Sequence, residues 1–504
     1  MNIWIFLVIL MSYFIMLIGI SHLTSDKKDS SSWFNANKSA PWPVVAYGMV
    51  GTSLSGVTFL SIPGWVAISN FSYMQTVLGY LMGYALISLW LLPTYYKKNV
   101  TSIYQYLGDR FGPITHKTGA VFFLISRTVG AGFRLYLVAI VFQILTQSFG
   151  LKAIPFWLIV SITILLIFLY TFRGGIKTVI WTDLVQTTFM LMAGLAAFLW
   201  LAKTMNLTIP SLITQIHNDP ISNWWVTDWS AGNHFLKNIA SGAFIALCMT
   251  GLDQDMMQKN LTCHNLKASQ KNIALFCVIL VIVNFGFLSL GGALYQYGEK
   301  SGVVEIHKDN LENPISIKNP ESGEFEPTIT DKLFARLALD YSPDYIGVVF
   351  ILGLIAAAYS SADSALTGLT TSFCIDFLRM DKKKTNNSST RLLVQSVIAI
   401  VLLGVILIFK EISEPAVISS IFKAAGYTYG PLLGFFAFGF LFPEKMKPDY
   451  VSPLAAIVAI LATAFISSSY HKEVGFLILP INGFFTLIFL FLFHSARSAL
   501  EKKK

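Results

Sequence analysis

The chain has 504 residues, 54% of them hydrophobic and 12% charged, with a mean hydropathy of +0.62. An average soluble domain is roughly 45–50% apolar and about 25% charged, so a soluble globular protein is excluded. The formal charge of +9 therefore does not point to a nucleic-acid partner, because its placement follows the loops of a membrane protein.

A membrane-crossing helix needs about 20 mostly apolar residues. Thirteen segments qualify, near 2–21, 42–66, 72–97, 115–147, 153–171, 177–203, 233–258, 271–297, 345–380, 392–409, 415–442, 450–469 and 474–494. They leave no room for a soluble module, so 1–504 reads as one all-α integral membrane domain embedded in the lipid bilayer. The first segment lacks a basic n-region and a small-residue cleavage site, which makes it a retained span rather than a signal peptide.

Basic residues crowd alternate connections: Lys27, Lys28 and Lys38; Lys97, Lys98 and Arg110; Arg173 and Lys177; Lys259, Lys267 and Lys271; Arg379, Lys382, Lys383, Lys384 and Arg391; Lys445 and Lys447; Arg497 and Lys502 to Lys504. The other short connections hold Lys152, Lys410 and Lys472, with Lys203 and Lys237 at helix edges. The positive-inside rule then predicts an N-terminus outside and a C-terminus in the cytoplasm, and the expected location is the plasma (inner) membrane. An odd number of spans agrees. Cys248, Cys263, Cys277 and Cys374 stand on no metal-ligand spacing and predict no disulfide.

The second span contains GTSLSG at 51–56 and then Pro63-Gly64. A lipid-facing helix tolerates such a run only where freed backbone groups find partners, so an unwound stretch opening onto a central cavity is expected. The alternative is a kinked helix with tight small-residue packing. Next, 101–112 places Ile103, Tyr106, Leu107 and Phe111 at helical spacing, which suits an interfacial helix on the cytoplasmic side or, as the simpler reading, a segment that only joins two spans. The fourth span carries Arg127 and Arg134 about two turns apart on one face. Cations at that depth need partners. Either they pair with Asp183 or Asp363, Arg134 being the one assigned to pair or snorkel, or one of them holds an anionic solute bidentately.

The sixth span opens GGIKTVIWTDLVQ at 174–186. Its Asp183 is either solvated near the interface or faces the ninth span to complete an ion site. Two long outside connections follow, 204–232 and 298–344, the second ending in an amphipathic helix around DKLFARLALDYSP. In the ninth span Ala357, Ser360, Asp363, Ser364 and Thr367 form one polar stripe, with Ser361 about 100° away. Hydroxyls and a carboxylate are hard oxygen ligands suited to sodium, and an intramembrane carboxylate is commonly functional. The competing reading is a polar helix–helix seam. The run 381–390 is a solvated inside loop. There is no Walker motif, GxGxxG or HExxH, and the eight histidines form no catalytic grouping, so the chain is not read as an enzyme.

Together, GTSLSGVTFLSIPG, GGIKTVIWTDLVQ, AAAYSSADSALT and AAGYTYGPLLGFF, in this order, resemble the sodium:solute symporter family over residues 5–490. The resemblance implies a leucine-transporter-type fold of two inverted five-helix repeats, at about 42–203 and 233–442, with extra spans at 2–21 and 450–494. It implies sodium as the coupling ion, no other cofactor, and uptake of a small polar solute such as a sialic acid, monocarboxylate or sugar.

Carried over by motif, the main sodium site takes the carbonyls of Gly51, Leu54 and Ala357 and the hydroxyls of Ser360 and Ser361. A second ion site would use Asp183, Ser360, Asp363 and Ser364, the aspartate at 363 departing from the all-hydroxyl version. Solute contacts would come from Ser55, Thr58, Tyr73, Gln75 and Arg127. A broken seventh span near MTGLDQDMMQ would present Thr250, Gly251 and Gln254. The expected function is sodium-coupled import of a small, anionic organic solute by alternating access. A proton-coupled carrier using Asp363 or Asp183 and a transporter-like sensor are the rivals.

Overall fold

The computed structural model describes residues 3–24, 30–148, 154–307, 310, 313–380, 388–411, 417–469 and 475–501. Lys27, Lys28, Lys152, Lys382 to Lys384, Lys472 and Lys502 to Lys504, with most of the 381–390 loop, lie outside them. The described residues of the thirteen predicted spans are predominantly helical, the fifth and sixth spans lying on one bent helix, Phe156–Thr204. Among the described residues nine helices are individually long and apolar enough to cross a membrane, and ten if the bent seventh span counts as one. Val8–Thr24 and Phe156–Phe172 are shorter apolar helices.

The breaks lie where local backbone chemistry permits them. The second span, Trp42–Ser69, is interrupted once, at Ser55 (φ 49°, ψ −177°). Pro63 stays within the helix, and Gly64 gives close packing instead of an opening: the Tyr295 hydroxyl donates to its carbonyl at 2.6 Å. Between the fifth and sixth spans the chain bends at Gly175, whose φ of 57° and ψ of −147° suit a residue without a Cβ. The seventh span divides into Phe235–Gly251 and Gln254–Asn260, bent by 72°. The first helix of each predicted five-helix repeat is thus the broken one.

Lipid offers little hydrophobic drive for helix association, so close approach and internal hydrogen bonds hold the bundle. The third span, Tyr73–Lys98, meets the seventh backbone to backbone, a Cβ at Gly242 being met by the Thr76 carbonyl and one at Gly79 by the Ile239 carbonyl. At the end of the ninth span, Asp376 accepts from Ser372 (2.7 Å) and Ser102 (2.8 Å) and faces His116 Nε2 at 2.8 Å. The four cysteines are free thiols.

Two sequence expectations change here. Residues Gln105–Arg110 do form a helix, but Ile103, Tyr104 and Leu107 are fully buried, so the segment belongs to the core and not to the interface. Arg110 explains why: its guanidinium donates to the carbonyls of Gly439, Phe442, Pro443, Glu444 and Met446 at 2.8–3.3 Å, satisfying the end of the eleventh span. The second long connection contains the expected helix, Leu333–Asp340, but also a small antiparallel sheet, β1 Val304–Ile306, β2 Ile315–Lys318 and β3 Phe325–Thr328. Val304 pairs with Ile317 and Ile315 with Thr328. Its strands are too short for alternation to stand out in a Pro/Glu/Lys-rich run.

Candidate functional site

At Ser55 the helix of the second span cannot continue, so the carbonyls of the preceding turn lose their donors four residues on. Gly51 brings that turn against the ninth and sixth spans. A Cβ at 51 would stand 3.1 Å from Ser360 Oγ and overlap Thr187. Gly51, Leu54, Ala357, Ser360 and Ser361, the residues expected for the main sodium site, are all buried. The Ser361 hydroxyl donates to the Ala358 carbonyl at 3.0 Å, which leaves its oxygen lone pairs free for a cation. Thr187, also buried and with no hydrogen-bond partner for its hydroxyl among the described residues, puts a further hydroxyl oxygen beside Gly51 that the sequence did not suggest.

Asp183 is not solvated. It is fully buried, and it accepts from Ser360 at 2.5 Å and Thr52 at 3.2 Å. Thr52 lies 3.4 Å from Ser364 and 3.5 Å from Ser360, so three of the four residues of the expected second site do converge. Asp363 turns elsewhere, accepting from Tyr170 at 3.0 Å and Thr182 at 3.5 Å. Lys259 enters the cluster, its ammonium 2.5 Å from Asp183 and 2.6 Å from Ser364, and bonded to Thr52. Lys259 therefore does not belong to a cytoplasmic loop as its charge suggests: its side chain is 1% exposed and is buried against Asp183. Removing either member of a buried ion pair costs about 3–5 kcal/mol, because the other charge is stranded.

The short helix Gln254–Asn260 that carries Lys259 is buried along its whole length. Asp253 caps it, accepting from the backbone of Asp255 at 2.9 Å, and takes a hydrogen bond from Tyr429. Asp255 pairs with Arg127, both buried, so Arg127 finds neither of the partners expected from the sequence, Asp183 and Asp363. Gln254 bonds the backbone of Thr101 and Ile103 and does not face the cavity, and Gly251 packs on Ile87 and Leu91. Thr250 does line the cavity.

The central cavity is lined by Ser55, Thr58 and Tyr73, as expected, and by Arg127 and Arg134. Gln75 is absent from it, being bonded to Asn238 and the Trp224 carbonyl. The pairing of the two arginines is the reverse of that expected: Arg127 is held by Asp255, whereas the 8%-exposed Arg134 makes no ion pair among the described residues and its Nε lacks an acceptor.

The model of the sodium:solute symporter family matches residues 33–447. The chain belongs to the sodium:solute symporter family. Within it, the chain is 24% identical to the sodium/sialic acid symporter NanT of Aliivibrio fischeri over 94% of this chain and 90% of that one. It is also 24% identical to the sodium-coupled monocarboxylate transporter 1 of Xenopus laevis, covering 88% and 67%. A solved structure of a Na+-coupled sialic acid symporter in a substrate-bound, outward-open state superposes with a TM-score of 0.77 at 19% identity, covering 98% of both chains. This symporter thus has the inverted-repeat, broken-helix fold expected of it.

Of the residues that the sequence reading missed, Lys259 and Asp255 had a signal. The segment DQDMMQK puts two carboxylates and an ammonium within seven residues of a helix break, a density that solvation of a loop does not require.

Proposed function

We propose that the protein imports a small organic anion together with sodium by alternating access. The observation that carries this reading is Arg134, a buried guanidinium facing the cavity beside the Ser55 break with no carboxylate partner among the described residues. A permanent cation in that setting needs an anion, and a solute carboxylate matches its fork geometry. Relatives named for sialic acid and for monocarboxylates support the class, since both solutes bear a carboxylate.

Sodium held by the carbonyls of Gly51, Leu54 and Ala357 and the hydroxyls of Ser360 and Ser361 fixes the broken turn. That places Ser55 and Thr58 for the solute, so the coupling is reciprocal. The charge distribution of the loops supports an N-terminus outside and a C-terminus in the cytoplasm; the apolar spans and the family are consistent with a plasma (inner) membrane location.

The test is uptake into proteoliposomes under a sodium or a potassium gradient, with a carboxylate solute competed by itself and by its amide. Sodium-dependent uptake blocked by the carboxylate alone is expected. Equal block by the amide, or uptake indifferent to sodium at constant pH, overturns the reading.

A further inference from the structure

Thr52, Asp183 and Ser364 form an oxygen cage of the kind that holds a hard cation, and a cation is already in it. Lys259 reaches the cage from the short helix beyond the break of the seventh span, with its side chain 1% exposed. Its ammonium donates to Asp183 Oδ2 at 2.5 Å, to Ser364 Oγ at 2.6 Å and to Thr52 Oγ1. An ammonium has three protons, and each has one acceptor here. The other oxygen of Asp183 takes the Ser360 hydroxyl at 2.5 Å. A free cation held by these same oxygens would stand where the nitrogen stands, so volume and charge both make the two exclusive.

We propose that Lys259 is a tethered cation that occupies the place of a second coupling ion, so the cycle runs with one sodium fewer than the Asp183 cage would otherwise admit. The lysine travels with the protein and returns with it, adding nothing to the net charge moved per turnover. Combined with the anion-symport reading, on which this one consequence rests, a single sodium and a monoanion give an electroneutral cycle. Ser360 is shared between the cage and the main sodium site, so the fixed ammonium also sets the orientation of a ligand of the mobile ion. A lysine serving only as a structural clamp between the seventh span and its neighbours would differ in one respect: its removal would create no new ion site.

The test is the amount of radiolabelled sodium bound at saturation per purified full-length chain in nanodiscs, for the wild type, Lys259→Ala, Lys259→Arg and Lys259→Ala/Asp183→Asn. Lys259→Ala is expected to bind one more sodium than the wild type, and the additional ion is expected to be missing from Lys259→Arg and from the double variant. Equal counts in wild type and folded Lys259→Ala overturn the proposal. Should Lys259→Ala not fold, the wild type is compared with Asp183→Asn. Equal counts at saturation support an ammonium-filled cage, and the loss of one ion in Asp183→Asn overturns it. A wild type that binds no sodium while Lys259→Ala binds one would break the sodium-coupled reading and leave the lysine assignment standing.

Discussion

The second and seventh spans are both broken part-way along, by opposite chemistry. Residues Gly51 to Gly56 contain no ionisable side chain, and what the break at Ser55 offers is backbone oxygen. At the break of the seventh span, Asp253, Asp255 and Lys259 fall within seven residues, and each is held by a residue of another span: Tyr429, Arg127 and Asp183. Neutral carbonyls suit an ion that must bind and leave, because nothing charged is stranded when it goes. Fixed charges in the same low-dielectric interior have to be paired throughout the cycle, since leaving one bare costs several kcal/mol. Arg134, which lines the cavity and has no such pair among the described residues, is the exception, and it is where the proposed anion would arrive.

The contrast is broken most severely by Asp183→Ala, which strands Lys259. A loss of about 3–5 kcal/mol is expected, read as a lower midpoint of thermal unfolding in detergent, and the pair Asp183→Leu/Lys259→Met should recover most of it. A wild-type midpoint for Asp183→Ala would mean that the ion pair does not hold the seventh span in place.

The two arginines sharpen the contrast next. Arg127→Gln should lower stability by leaving Asp255 unpaired. Arg134→Gln should leave the melting midpoint where it is or raise it, and should raise KM for a carboxylate solute about ten- to hundredfold, the worth of a charge-assisted hydrogen bond of about 1.5–3 kcal/mol. The reverse pattern would return the solute contact to Arg127.

At the neutral break, Gly51→Ala forces a methyl against Ser360 and Thr187, and overpacking of this kind costs about 1–3 kcal/mol. It should appear as a roughly tenfold rise in the sodium concentration for half-maximal uptake, with the solute KM at saturating sodium little changed. Ser361→Ala removes one ligand hydroxyl and should raise the same concentration about fivefold, matching about 1 kcal/mol. If sodium dependence is untouched in both variants, the ion does not bind at this break.

The ninth-span stripe was legible because helical periodicity places Ser360, Asp363 and Ser364 on one face whatever they pack against. Its occupants were not. Periodicity cannot say that Asp363 turns to Tyr170 while Ser364 meets an ammonium. Gln75 illustrates the same limit: a polar residue at the start of the third span reads as a solute contact until Asn238 and Trp224 are found beside it. The 101–112 helix was legible as a helix, but its surroundings were not, because its apolar face looks alike whether lipid headgroups or Phe436 and Phe440 cover it.

The sequence by itself determined the spans, the position of the first break and the oxygen-rich stripe. These follow from interactions a few residues long: the length of an apolar run, the tolerance of Gly and Ser for an open helix turn, and a repeat of 3.6 residues. Only the tertiary structure decided which cation meets which carboxylate. Lys259 and Asp183 are 76 positions apart, and Arg127 and Asp255 are 128 apart. An ion pair depends on separation in space, which composition and spacing along the chain do not encode. Packing the short helix Gln254–Asn260 into the bundle takes Lys259 out of the loop to which spacing along the chain assigns it, binds Arg127 to Asp255, and leaves Arg134 facing the cavity.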